Sequence, residues 1–274
     1  MLFFERLFLE NKLDPLKLIC YFYYSITVFL SLLYLVSIFS NSIFGFSLRY
    51  YGSFSPLVTN IHQAAMVIVT LPFIGLFVLN MQTKFLHKFI TIILIVFTII
   101  MSLDTAATKA IMAIVFAMGV YCLLLMIKIT GKRIIPIYFL LFVMLVLYLI
   151  HNINVIGYME GFFIENDGGG ARAILYLDAL NIGLTSPLFG LGAGSHVILS
   201  GKFYDSHQTY LTIFLQTGLI GLFAYFLLIF KIISKVIFSP AFLAVFTTIL
   251  IYSLGGDVLR RLPIWIILLL IYYA

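Results

Sequence analysis

His207, in SHQTYL, stands between a polar stretch and a long apolar run. A histidine at the start of a helix meets the positive end of the helix dipole, which disfavours imidazolium and leaves a neutral ring able to accept a proton. It reads either as a general base or hydroxyl binder, or as a polar residue at a membrane interface. Arg172 follows GGGA and opens a segment of helical periodicity. A guanidinium there either holds a phosphate or pyrophosphate through paired hydrogen bonds or meets lipid headgroups. Arg260 and Arg261, in GGDVLRRLPIW, come three and four residues after Asp257, so one of them is expected to pair with that carboxylate and the other to offer an anion contact. Arg49, in LRYYGSFSP, could supply a third. Lys109 and Asp104 flank a tight turn between apolar runs, where charge is costly, and are expected to lie at the interface or to pair with each other.

Three other patterns carry less. GLGAGS contains GxGxG but does not join a strand to a helix, so it is no dinucleotide fingerprint. Asp205, Ser206 and His207 are consecutive and cannot converge as a nucleophile triad. His151, His196 and His207 match no metal-ligand spacing, and no metal site is expected. Cys20 and Cys122 each lie in an apolar segment, far apart in sequence, which excludes a disulfide framework and a CxxC site.

The elements that must hold these residues are membrane helices. Of 274 residues 64% are hydrophobic and 9% charged, with a mean hydropathy of +1.19, whereas soluble domains run near 45–50% apolar and about 25% charged. The net charge of +6 does not indicate nucleic-acid binding, because the basic residues come in ones and twos beside apolar runs. The predicted fold is all-α, a polytopic membrane helix bundle. About eight spans are expected, at Leu18–Phe39, Ile61–Leu79, Lys88–Leu103, Ala106–Ile127, Ile134–Ile150, Gln208–Phe230, Pro240–Leu254 and Leu262–Ala274. The N-terminal residues mix both charge signs and lack a small-residue cleavage site, so the first span is expected to remain as an anchor.

The organisation expected is an N-terminal bundle over 1–150, a large extracytoplasmic loop over 151–207 and C-terminal helices over 208–274. Every second connection is basic: Lys12 and Lys17, then Lys84 and Lys88, then Lys128, Lys132 and Arg133, then Lys231 and Lys235. Those are expected to face the cytoplasm. The opposite connections then hold seven of the ten acids and also Arg49, Arg172, Arg260 and Arg261, against the usual charge bias. Within the loop, Ile174, Leu177, Leu180 and Leu184 recur at helical spacing and predict a short helix lying on the membrane surface. Ser206 is the expected cap of the following span, with His207 in its first turn.

An arginine, an aromatic-and-leucine helix, SPLFGLGAGSH and then SHQTYLTIFLQTGLIGLF, in that order on a polytopic chain, resemble the O-antigen ligase and polymerase family of bacterial surface-polysaccharide assembly. The resemblance is strongest over Ala171–Phe230 and extends through GGDVLRRLPIW and RYYGSFSPLVTNIHQAA. It implies an enzyme, a glycosyltransferase in the bacterial inner membrane with its large loop on the periplasmic or outer side. The implied donor is a glycan linked through pyrophosphate to undecaprenol. The implied product is O-antigen or a related surface polysaccharide, made by a repeat-unit polymerase or, alternatively, joined to lipid A core by a ligase. A transporter without chemistry is the alternative from another class.

By this resemblance His207 and Arg172 are catalytic, and Arg49, Lys109, Arg260, Arg261 and Tyr210 bind substrate. In DTAATKA, Lys109 stands where the family has an arginine, keeping the charge but not the planar fork. No cofactor is implied, since the donor carries its own activation. The implied partners are the lipid-linked glycan, membrane lipids, a chain-length regulator and a flippase, with no nucleic acid.

Overall fold

The computed structural model describes residues 14–57, 61–105, 107–130, 144, 169–195, 197–199, 202–204, 208–258 and 261–274. Helix α1, Pro15–Phe39, opens with Asp14, whose carboxylate accepts from the Leu16 and Lys17 amides at 3.0 and 3.3 Å and satisfies two donors of the first turn. Its 25 residues extend about 37 Å, more than the roughly 30 Å hydrocarbon core.

Two tight hairpins follow. β1 (Ser42–Ile43) pairs with β2 (Phe46–Ser47), and β3 (Arg49–Tyr50) pairs with β4 (Ser53–Phe54). Each turn is an aromatic–glycine pair in the left-handed region, Phe44–Gly45 at φ 48° and 81° and Tyr51–Gly52 at φ 50° and 80°. Two-residue turns of that hand match the twist of the paired strands. These hairpins, with β5 (Val197–Leu199) and β6 (Lys202–Tyr204), correct the all-α expectation at its edges. The protein is otherwise helical.

The span expected at Ile61–Leu79 is two helices, α2 (Ile61–Ile68) and α3 (Leu71–Met81). Pro72 has no amide hydrogen to donate four residues back, and the chain tightens there, with the Thr70 amide bonded to Val67 O at 3.1 Å. Helices α4 (Phe85–Asp104) and α5 (Thr108–Thr130) fall where two spans were expected. The span expected at Ile134–Ile150 lies outside the described residues apart from Met144. After these come α6 (Gly169–Gly183), α7 (Thr209–Val236), α8 (Pro240–Gly255) and α9 (Leu262–Tyr273). Among the described residues five stretches are long and apolar enough to cross a membrane, with α2 and α3 counting as one and α8 and α9 shorter.

The chain forms two compact units. The first comprises residues up to Tyr121 with Lys231–Tyr252 and Val258–Ala274. Its core at the hairpin end consists of Leu33, Leu48, Phe54, Ala64, Ile68 and Met101. Here the hairpins seat on the ends of α1, α2 and α4, with the Tyr34 ring edge-on to Phe54 at 5.0 Å. Farther along, Gly75 of α3 lets the Tyr23 hydroxyl and Ile95 approach its backbone, and Tyr24 and Thr91 share a hydrogen bond of 2.6 Å. The second unit comprises Cys122–Phe230 and Ser253–Asp257, and contains α6 and most of α7.

Candidate functional site

Helix α7 is not one rod. Gly218, at φ 64° and ψ −161°, divides it into an arm, residues 209–217, and a longer stem, residues 219–236. The Tyr210 and Phe226 rings stack with centroids 5.9 Å apart, though a continuous helix would separate these residues by about 24 Å. The arm therefore folds back on the stem. This overturns the single span expected at Gln208–Phe230, and the physical reason is a glycine that adopts a backbone conformation other residues resist.

A reversal of this kind frees backbone groups. In an unbroken helix the Leu219 and Ile220 amides would donate to Leu215 O and Gln216 O. Here those amides donate instead to Pro187 O and Leu188 O at 2.8 and 3.3 Å, while Leu215 O and Gln216 O accept from the Leu191 and Gly192 amides at 2.9 and 3.0 Å. The segment PLFGLG thus supplies two acceptors and two donors, replacing both lost helical bonds. In hydrocarbon such replacement is what makes a broken helix tolerable. A methyl group at Gly190 would collide with the backbone of Gln216 and Thr217, and one at Gly218 with the backbone of Leu188.

Helix α6 packs along the same arm. Leu175 and Ala179 are buried with Leu215, and Ile182 and Leu211 close around them. Gly183, at the end of α6, admits the Phe214 ring, and the chain continues from there to Pro187 beside Leu219. Helix α6 carries Arg172 in its first turn, and the arm begins at Thr209. The expected membrane-facing stripe of α6 is exposed at Leu177, Leu180 and Leu184, whereas a second stripe, not foreseen, faces the arm.

The arm is also tied at its beginning. Gln208 caps its first turn, its side-chain oxygen accepting from the Leu211 amide at 3.0 Å. The Thr209 hydroxyl donates to Gly256 O at 2.7 Å, and the Ser253 hydroxyl donates to the Tyr210 hydroxyl at 2.8 Å. Tyr225 adds an edge-on ring at 6.0 Å. Tyr210 is thus a phenol fixed between aromatic faces, with a hydroxyl partner at its tip.

Arg49 occupies a different setting in the first unit. Its guanidinium bonds Asp104 Oδ2 at 2.8 Å, Ser37 O at 3.0 Å and Gly52 O at 2.6 Å. The pair is mostly shielded, with side chains 19% and 29% exposed. Asp104, expected at the interface or on Lys109, has Arg49 as its ion-pair partner. Arg261, which precedes α9, is met by Gln63: with the carboxamide oxygen turned toward the guanidinium, both terminal nitrogens lie 3.2 Å away. Lys109 is half-buried in the first turn of α5. Near Arg49, the Tyr50 hydroxyl is pushed above its ordinary range, chiefly by its hydrogen bond to Tyr51. His207, Ser206 and Arg260 lie outside the described residues.

The stretch from α4 through the arm, its glycine lock and the start of the stem is also what known proteins share with this chain. A family model described as O-antigen ligase matches residues 90–226, half of the chain. The chain belongs to the O-antigen ligase family. Membership makes it an integral membrane protein of the enzymes that ligate or polymerise lipid-linked glycans. No curated protein matches it, and no solved structure does.

The O-antigen ligase region includes Asp104, Lys109, Arg172, His207, Tyr210 and both lock glycines, and excludes Arg49, Arg260 and Arg261. Sequence reasoning missed Gln63, Gln208, Ser253 and the reversal at Gly218. Only the last left a local signal, a glycine interrupting the apolar run in QTGLIG.

Proposed function

We propose that this O-antigen ligase family protein is the repeat-unit polymerase of a surface polysaccharide, taking an undecaprenyl-pyrophosphate-linked glycan on the outer side of the bacterial cytoplasmic membrane. The observation that carries the reading is the apolar contact between α6, which bears Arg172 in its first turn, and the α7 arm, which follows His207, inside the family-matched stretch.

In the proposed reaction a sugar hydroxyl of the acceptor attacks the anomeric carbon of the donor. A new glycosidic C–O bond forms as the bond to pyrophosphate breaks, and the hydroxyl proton passes to His207. Arg172 stabilises the negative charge growing on the leaving undecaprenyl pyrophosphate. Tyr210 offers an aromatic face and a hydroxyl to the glycan. The second reading, transfer of the finished glycan to lipid A core, is the same chemistry on another acceptor and is favoured by the description of the matching family.

The test is the surface-polysaccharide ladder of a deletion strain carrying the wild-type, Arg172→Ala or His207→Ala protein. Collapse to a single repeat on lipid A core identifies a polymerase. Bare core with long glycan left on the carrier lipid identifies a ligase. Normal ladders from both variants would sink the catalytic reading, and a transporter should largely tolerate His207→Ala.

A further inference from the structure

The glycine lock holds a helical arm that has no continuous helix to hold it. Two ties secure the arm's beginning, Thr209 on Gly256 and Tyr210 on Ser253, and four backbone hydrogen bonds secure its end through PLFGLG. The α6 contact and the Tyr210 ring against Tyr225 and Phe226 of the stem also bear on the arm. We infer that Gly190 and Gly218 are positioning residues: the docked loop Pro187–Gly192 sets where the arm, and with it Tyr210 and the residues just before it, stands during glycan transfer. The inference rests on the transfer reading above. It adds that the loop is a static lock that stays closed through turnover.

Two features separate this role from ordinary turn chemistry. Gly192 and Gly194 have φ of 92° and 86°, as left-handed as Gly190 at 69° and Gly218 at 64°, yet a methyl at either would meet nothing within 4 Å. Alanine at those two positions imposes the backbone penalty alone, whereas at Gly190 and Gly218 it also drives loop and reversal apart. Further, Leu188 and Ile220 are joined through the backbone and both have exposed side chains, 55% and 53%. Cysteines there suit a disulfide that would fasten the lock covalently.

The experiment uses the full-length protein in detergent or proteoliposomes with the lipid-pyrophosphate-linked repeat unit as donor. Gly190→Ala and Gly218→Ala are expected to lower kcat at least tenfold with the donor KM within twofold, while Gly194→Ala, outside the docked loop, stays within twofold on both. Independently of activity, Leu188→Cys/Ile220→Cys, built with Cys20→Ala and Cys122→Ser, should oxidise to an intramolecular disulfide detected by peptide mass spectrometry. The oxidised protein should transfer at no less than half the rate of the reduced one.

Wild-type kcat in Gly190→Ala and Gly218→Ala would overturn the inference. So would a disulfide that abolishes transfer until reduced, because the loop would then be a gate that must open. Should either alanine variant fail to fold, the disulfide pair still decides. If the wild-type protein transfers nothing, the proposed function falls and the positioning role with it, while the disulfide yield still reports whether the loop docks.

Discussion

The Arg49 corner and the Gly218 reversal solve the same problem with opposite means. Both pin an irregular stretch of chain against helix ends. At the corner a long side chain does it: one guanidinium reaches the carbonyls of Ser37 and Gly52 and the carboxylate of Asp104. At the reversal the backbone does it, through four amide–carbonyl bonds in which side chains take no part. A corner fastened by a side chain is sensitive to what is removed, and a lock fastened by backbone is sensitive to what is added. An arginine outside the usual charge bias therefore does not by itself mark an anion site, since this one has a carboxylate partner.

The sharpest way to break that contrast is Asp104→Ala. It leaves the shielded Arg49 guanidinium without its counter-charge and should cost about 2 kcal/mol of stability. Thermal unfolding in mild detergent would read it, and a double-mutant cycle with Arg49→Ala should show that most of the loss is shared by the pair. Arg49→Lys should recover only part, because an ammonium cannot reach three acceptors in a fork. An unshifted melt for Asp104→Ala would mean that the corner is held some other way.

Smaller effects test each half separately. Gly52→Ala, in open space but at φ 80°, should lose about 1 kcal/mol from backbone strain alone. Gln208→Ala removes the cap of the arm and should lose about 1 kcal/mol, or somewhat less, in the same melt. The smallest change belongs to Phe189→Ala. This side chain is 73% exposed on the lock loop, and truncating it should move stability by no more than about 0.5 kcal/mol. A large loss there would show that the loop docks by its side chains and would collapse the distinction.

Much of the helical architecture was legible in advance, because apolar runs of membrane length have few other fates. Helices α1, α4 and α5 lie where the runs put them, and α6 follows the leucine spacing of the loop. What was not legible depends on contacts distant in sequence. The carboxylate that answers Arg49 is 55 residues away, and the hydroxyl that meets Tyr210 is 43 residues away. The hairpins had a signal in FG and YG, each between pairs of one polar and one apolar or aromatic residue, but at two residues per strand it was too brief to stand out against the surrounding hydrophobicity.

SPLFGLGAGS and QTGLIG show where the division falls. The sequence by itself marked SPLFGLGAGS as a bend through its glycines, but read QTGLIG as part of one continuous span. It also determined that the chain lives in a membrane, and its motifs carried the family. Only the tertiary structure decided that the two bends are one object. Each leaves amides and carbonyls that cannot go unpaired in a low-dielectric interior, and each satisfies the other's. Backbone groups are the same in every residue, so the sequence holds no record of which of them pair between the two segments; that is settled when the chain folds and the unpaired groups find one another.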